Sequence, residues 1–472
     1  MTTLEILNRW LTSPAESEVL EFKEAKTQFD SNKLMEYCVA ISNERGGHLV
    51  LGISDKSPRK VVGSKAYENQ NDLNAIKLKV LEKLKIRIES FEIFYASERI
   101  LIFHIPSRPI GHPLHLDGQY LMRSGESLVP MSQDHLRRIF SEGQPDWLAL
   151  EAKSSLSADD VISLLDTQTY FELSNLPYPS TRDGVLDKLL NEQLILKNGN
   201  YWAITNIAAI LLAKDLNAFS TELARKAPRV VIYEGVDKTS TKEDKSGGKG
   251  YAVGFSGLVE FVHSSAPLNK SIEQVVREEV KMFPKQALRE LIANALVHQD
   301  FLTSGMSVMI EMFADRVEIS NPGIPPISVD RFIDEYRSRN ERLADLMRRL
   351  GICEEKGSGV DKVIHAVELF QLPPPNFRVG EQRTTAILYA HQDFSVMGKE
   401  DRIRACYHHC CLMYVSNQKM SNQSLRERFG LAEGKMATVS NVIGSAREIG
   451  LIKLDESDTV STRYARYLPF WA

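Results

Sequence analysis

The sequence predicts a multidomain α/β and α+β protein that ends in a winged helix-turn-helix, and three observations carry the prediction. The chain has 472 residues, enough for about three domains. Strand-like and helix-like patterns alternate through its first and middle parts. From residue 395 onward, helical patterns precede a strand, a polar turn and a second strand pattern, the order of a winged helix.

With 43% hydrophobic and 25% charged residues, the composition is that of an ordinary soluble globular protein. No apolar run approaches the ~20 residues of a membrane span. The first residues, Met1-Thr-Thr-Leu-Glu5, lack a basic segment and an apolar signal core. Five cysteines without framework spacing fit a reducing compartment. These features together lead us to expect a cytoplasmic protein. A net charge of −4 gives no global case for nucleic acid, so any such surface is a local patch.

Residues 1–145 read as a mixed α/β domain. A helix is expected from Ser31 to Asn43, with strands at His48–Ile53, Arg99–Ile105 and Tyr120–Arg123. Residues 146–210 read as a helical connector with a hairpin at Asn198-Gly-Asn200, itself of winged-helix cadence. Residues 211–390 read as a second α/β domain with a strand at Arg229–Tyr233. The polar, Gly/Lys-rich stretch from Asp237 to Gly250 is expected to be a mobile loop. Residues 395–472 form the terminal module.

The sharpest signal is Glu290-Leu-Ile-Ala-Asn294-Ala-Leu-Val-His298. Four-residue spacing puts Glu290, Asn294 and His298 on one helix face. The intervening residues are apolar, so the helix is deep, and a buried carboxylate needs a partner or a metal. Downstream lie a strand ending in the turn Asn321-Pro-Gly323 and the turn Glu355-Lys356-Gly357-Ser-Gly359, which opens a helix from about Val360 to Phe370. Glycines before a helix N-terminus let backbone N–H groups approach phosphate, which the helix dipole favours.

This combination resembles the GHKL ATPase family, whose fold is the Bergerat-type α/β sandwich, over about residues 200–390. The resemblance implies ATP and Mg²⁺ as cofactors. Asn294 would coordinate the Mg²⁺, and Glu290 would orient or deprotonate the attacking water. Gly357 and Gly359 would form the lid against the phosphates, with Lys356 as a nearby point charge. His298 shares the face, either ordering the site from behind or packing. The family's first glycine box begins with an Asp that accepts from the adenine amino group. Here Asn321 stands at that position, followed by Gly323, and an amide can accept the same bond.

A second constellation is Glu16-Ser-Glu18-Val-Leu-Glu21-Phe-Lys23, followed by a helix, Gly46-Gly47, a strand and Asp55. The ordered set looks like the Schlafen core domain, the AlbA-like nucleic-acid-binding unit, over about residues 10–135. In nucleolytic members three carboxylates gather a divalent metal, Mg²⁺ or Mn²⁺, to cut RNA. The matching residues are Glu16, Glu21 and Asp55, whose clustered oxygens would suit a hard cation. Lys23, two residues from Glu21 on the same strand face, would meet a phosphate, as would Arg123.

In the terminal module, Met420–Leu431 reads as the first helix and turn, capped by Ser421 or Asn422. Lys435–Leu451 reads as the second helix, with mild exposed residues. Arg463 and Arg466 fall in the expected wing, a usual phosphate contact. Cys406, Cys410 and His409 share a helix but lack a second ligand pair, so they read as core residues rather than a zinc site. Gly247-Gly-Lys249-Gly250 lacks P-loop spacing.

Two functional readings follow. The leading one is a nucleotide-regulated, metal-dependent nuclease acting on RNA or DNA, working as a homodimer in a role such as antiphage defence. The alternative is a nucleotide-sensing, DNA-binding transcription regulator without nuclease activity.

Overall fold

The computed structural model describes residues 10–11, 17–55, 58–125, 127–143, 146–268, 281–353, 359–455 and 465–472. The chain divides into two units, Met1–Pro145 and Asp146–Ala472.

In the first unit, the Asp30 carboxylate accepts from the backbone N–H groups of Asn32 and Lys33 at 3.0 and 2.9 Å. This caps α1 (Ser31–Asn43) and satisfies amides that have no partner within the helix. The strands are β1 (Leu20–Lys23), β2 (Gly47–Leu51), β3 (Glu89–Tyr95) and β4 (Glu98–Ile105), and α2 (Gln70–Leu84) precedes β3. They form one sheet in the order β1-β2-β4-β3, with β1 parallel to β2 and the other pairs antiparallel. Alternation sorts the side chains by face. Leu49, Leu51, Leu101, Phe103 and Ile105 join α1 and α2 in the main core, while Phe22, Val50, Ile100 and Ile102 form a smaller cluster.

The turn after α1 permits the parallel pairing. A Cβ on Gly47 would lie 2.0 Å from the Val19 carbonyl oxygen, so only glycine lets the backbones meet. The buried Asn43 amide accepts from Leu114 N–H at 2.8 Å and donates to the carbonyls of Leu114 and Leu121 at 3.0 and 2.9 Å. It thereby ties α1 to β5 (Leu121–Ser124), which pairs with β6 (Ser127–Pro130).

The second unit opens with β7 (Glu151–Leu156), β8 (Ile195–Asn198) and β9 (Tyr201–Thr205), a sheet in the order β7-β9-β8. A six-stranded sheet follows, in the order β11-β10-β12-β13-β15-β14. Its strands are β10 (Arg229–Tyr233), β11 (Thr241–Ser246), β12 (Met309–Met312), β13 (Arg316–Pro322), β14 (Asn376–Val379) and β15 (Arg383–Tyr389). Strands β10 and β12 are parallel and the remaining neighbours antiparallel. The expected mobile loop at 237–250 is therefore corrected, because Thr241–Ser246 is an edge strand. Pairing satisfies the outer backbone edge of β10, and Asp244 takes the Arg229 guanidinium on both oxygens, with Nε at 2.8 Å.

Four helices share one hydrophobic core with this sheet: α3 (Tyr251–Ser265), α4 (Lys285–His298), α5 (Glu341–Arg349) and α6 (Gly359–Leu369). Helix α4 buries Ala287, Leu288, Leu291, Ile292, Ala295, Leu296 and Val297 in the core that also holds Ile310, Val317 and Ile319. The Asn340 amide donates to the carbonyls of Val297 and Gln299 at 2.6 and 2.8 Å, satisfying the helix C-terminus.

The terminal module comprises α7 (Lys399–Val415), α8 (Asn422–Arg428), α9 (Met436–Glu448) and the pair β16 (Ile452–Leu454) and β17 (Tyr467–Pro469). Ser421 and Ser424 cap α8 reciprocally, each side chain accepting from the other's N–H. Cys406, Cys410 and Cys411 lie in this module's core, where burial pushes their thiols up. Among the described residues no helix is long and apolar enough to cross a membrane.

Gly47→Ala should destabilise the first unit by at least ~1–3 kcal/mol, the usual cost of overpacking. Amide exchange of β1 and β2 checks this, and wild-type protection in both strands would contradict it.

Candidate functional site

Helix α4, strands β13 and β15, the 324–338 loop, α5 and α6 enclose a cavity of about 620 Å³. That volume lies in the usual range for small-molecule sites, roughly 300–1,000 Å³. Glu290, Asn294 and His298 project into it from one face of α4, and Asn321 lines it from the end of β13. Ile319, Phe332 and Phe377 supply apolar wall. The structure thus brings together residues from segments that the sequence separates widely. Lys356 and Gly357 lie outside the described residues.

Gly359 begins α6 against this row. A Cβ there would lie 3.1 Å from Glu290 Oε2 and 3.5 Å from Asn294 Nδ2. The first backbone turn of an 11-residue helix, with its positive dipole end, therefore meets a buried carboxylate and an amide. These features fit the phosphate and Mg²⁺ portion of a nucleotide. Gly323 shapes the opposite turn with φ +101°. Its N–H donates to the Gln382 carbonyl at 2.8 Å, and its carbonyl accepts from the Thr384 hydroxyl at 2.7 Å. Thr384, the cross-strand partner of Asn321, also lines the cavity. Sequence reasoning missed it, because its position depends on β13 and β15 being neighbours. The Asn321 amide donates to the Pro322 carbonyl at 3.0 Å, which leaves its oxygen as the group offered elsewhere.

Burial, reinforced by the Arg339 guanidinium, pushes the His298 pKa down to about 4. At neutral pH its imidazole is uncharged, so it is a hydrogen-bonding group and not a countercharge for phosphate. Arg339 itself lies 3.6 Å from Asp300 and donates to the Ile324 carbonyl. Burial pushes Asp361, in the first turn of α6, up to about 6, with Asp334 adding to the effect.

The acidic constellation of the first unit is organised differently. Glu21 is 1% exposed and Arg123 is 1% exposed, and Arg123 Nη1 pairs with Glu21 Oε2. Lys23 Nζ bridges Glu21 Oε1 and Asp55 Oδ2, each at 2.8 Å. Burial lowers the Lys23 pKa, but bonds to Asp55 and Glu21 outweigh it, and the net shift is upward. Tyr37, next to the cluster, is pushed up to about 12 by burial and by Glu21.

Among the described residues the cluster sets two carboxylates, Glu21 and Asp55, against two cations, Lys23 and Arg123. A divalent ion would have to displace the Lys23 ammonium and would still face buried Arg123. The described donor set does not fit a resident divalent metal, and among the described residues no three metal-ligating side chains gather elsewhere. Glu16 lies outside the described residues. A side chain as buried as Arg123 is not placed to meet a phosphate. Arg463 also lies outside the described residues, while the Arg466 carbonyl accepts from Asp455 N–H at 2.9 Å beside β17.

Two outcomes follow. Arg123→Ala strands a buried carboxylate and should cost about 3–5 kcal/mol, whereas Lys23→Ala, at a partly exposed position, should cost about 1 kcal/mol or less. Urea unfolding of both variants checks the ranking. His298 favours the folded state fully above its unfolded pKa, and that contribution fades as pH falls from about 6.5 towards 4. His298→Gln, which removes the titrating group, should therefore flatten the fall in urea midpoint over that window, and an unchanged slope would contradict the assignment.

Comparison with known families agrees with the two motif sets. The Schlafen AlbA_2 family model matches residues 16–132. The HATPase_c_4 model, described by the C-terminal region of recG-type ATP-dependent DNA helicase, matches residues 305–388, which include Asn321, Gly323 and Gly359 but not α4. The crystal structure of the DIP2311 protein from Corynebacterium diphtheriae is similar over 99% of this chain and 96% of its own, at 17% identity and a TM-score of 0.44. The solution structure of the N-terminal domain of a RecG-related protein from Nitrosomonas europaea covers 28% of this chain and 93% of its own, at 17% identity and a TM-score of 0.22. No curated protein matches the chain. The chain is thus similar to the Schlafen AlbA_2 family in its first part and to an ATPase-like recG C-terminal family in its later part, the fusion that its motifs indicate.

Proposed function

We propose that this protein is a nucleotide-sensing, nucleic-acid-binding regulator. The GHKL-type domain at 211–390 binds ATP with Mg²⁺ in the cavity beside α4. The observation that carries this reading is the close approach of Gly359, at the N-terminus of α6, to Glu290 and Asn294 inside a cavity of about 620 Å³. Asn294 would hold the metal and Glu290 would orient water. Bound Mg²⁺ would supply charge neutralisation at the phosphates. The Asn321 oxygen would accept from the adenine amino group, with Thr384 beside it.

Residues 1–145 serve as the Schlafen-like nucleic-acid contact, and residues 395–472 as a winged helix-turn-helix, with Arg463 and Arg466 as its phosphate contacts. The 146–210 segment links the first domain to the nucleotide domain along the chain. The compensated charge of Glu21, Lys23, Asp55 and Arg123 favours regulation without metal-dependent cleavage over the nuclease reading.

A non-hydrolysable ATP analogue with Mg²⁺ at about 100 times its Kd should stabilise wild type by about 2.7 kcal/mol. Asn294→Ala should lose most of that shift in thermal melts, and equal shifts in both would sink the nucleotide assignment. Labelled nucleic acid should bind with an affinity that falls steeply with salt. Incubation with Mn²⁺ should leave RNA and DNA intact. Cleavage by wild type that Glu21→Gln abolishes, with the variant still folded, would restore the nuclease reading.

A further inference from the structure

Helix α6 belongs to two hydrophobic cores. Val363, Ala366 and Val367 pack in the main core with Leu288 and Leu291 of α4. Ile364 is a member of the terminal module's core, with Cys406, Cys410, Leu425 and Phe429, and Val360 packs against that core. The helix that starts at the cavity is therefore also part of the terminal module.

Its far end is held by polar contacts. Glu368 Oε2 lies 2.9 Å from His409 Nδ1 of α7, and Glu368 Oε1 lies 3.4 Å from Arg428 Nε of α8. Arg428, 7% exposed, also donates to the Leu372 carbonyl at 2.7 Å. A second attachment reaches the cavity wall. Phe332 lines the cavity while its neighbour Ile333 lies in the terminal core. The Tyr407 hydroxyl donates to the Asp330 carbonyl, and Trp471 Nε1 donates to the Tyr407 oxygen at 3.2 Å.

We infer that the terminal module is energetically coupled to the cavity through α6 and the 329–333 segment, with Glu368 as the positioning residue. The inference rests on the nucleotide reading of the cavity and adds its regulation. A ligand that draws on the α6 N-terminus at Gly359 acts on a rigid 11-residue rod whose other end is gripped by α7 and α8. Tightening one end restrains the other, and linkage makes the effect reciprocal. The nucleotide state then sets how firmly the module is held, which is the quantity a regulator would need to control.

Hydrogen exchange of the full chain, with and without adenylyl imidodiphosphate and Mg²⁺, tests this. The expected result is protection at α4 and the start of α6, together with at least ~5-fold slower exchange in α7 and α8. In Glu368→Gln the cavity protection should persist while the response in α7 and α8 falls below about twofold. A purely structural Glu368 would instead raise exchange there equally with and without nucleotide, which overturns the proposal. If Glu368→Gln does not fold, Tyr407→Phe decides through the second attachment: a reduced distal response supports coupling, and a full one overturns it. Protection at the cavity with no change in α7 and α8 of wild type also overturns the coupling but leaves the nucleotide reading standing. Absence of protection at the cavity overturns both.

Discussion

The second unit depends on one constraint: α4 must be buried on most of its circumference while its Glu290, Asn294 and His298 edge stays open to a cavity. The sheet covers the apolar faces through Ile310, Val317 and Ile319. What covers the polar edge must be small and polar, and Gly359 meets that need because a side chain there would press on the Glu290 carboxylate. A carboxylate 4% exposed is tolerable beside an amide and a helix N-terminus, where partial positive charge offsets lost hydration. His298, at the far end of the row, is held neutral by burial and by the Arg339 guanidinium.

The first unit meets a similar problem in another way. Its carboxylate is also buried, and there an arginine and a lysine side chain supply the compensation. The contrast separates two acids that look alike in sequence. Glu290 borders a cavity that can admit a ligand, and Glu21 is enclosed by its own counterions.

Helix α1 was legible in the sequence at its observed bounds, Ser31–Asn43, although the Asp30 cap that fixes its start was not singled out, and the strand at Arg229–Tyr233 was legible from its apolar run. The row on α4 was legible because four-residue spacing is local. Strand β11 was not, since an exposed edge strand carries no apolar alternation and its partner supplies the ordering. The Glu21–Arg123 pair was invisible for a related reason. Each residue reads alone as a surface or ligand-binding charge, and only the Asn43 tether that draws β5 onto α1 shows where Arg123 goes. The double membership of α6 could not be read either, because Val363 and Ile364 look equally apolar in a helical stretch.

The Glu21–Arg123 pair also has a consequence in time. Strand β1 is synthesised before residue 123, so its carboxylate has no arginine until the chain has reached that residue. At synthesis rates of about 5–20 residues per second, that wait is roughly 5–20 s. During it, docking β1 on β2 would bury a charge lacking one of its two counterions, so the sheet's parallel edge is disfavoured until the last strands of the unit emerge. The pair thus ties the burial of the Glu21 carboxylate to a residue about 100 positions further along the chain.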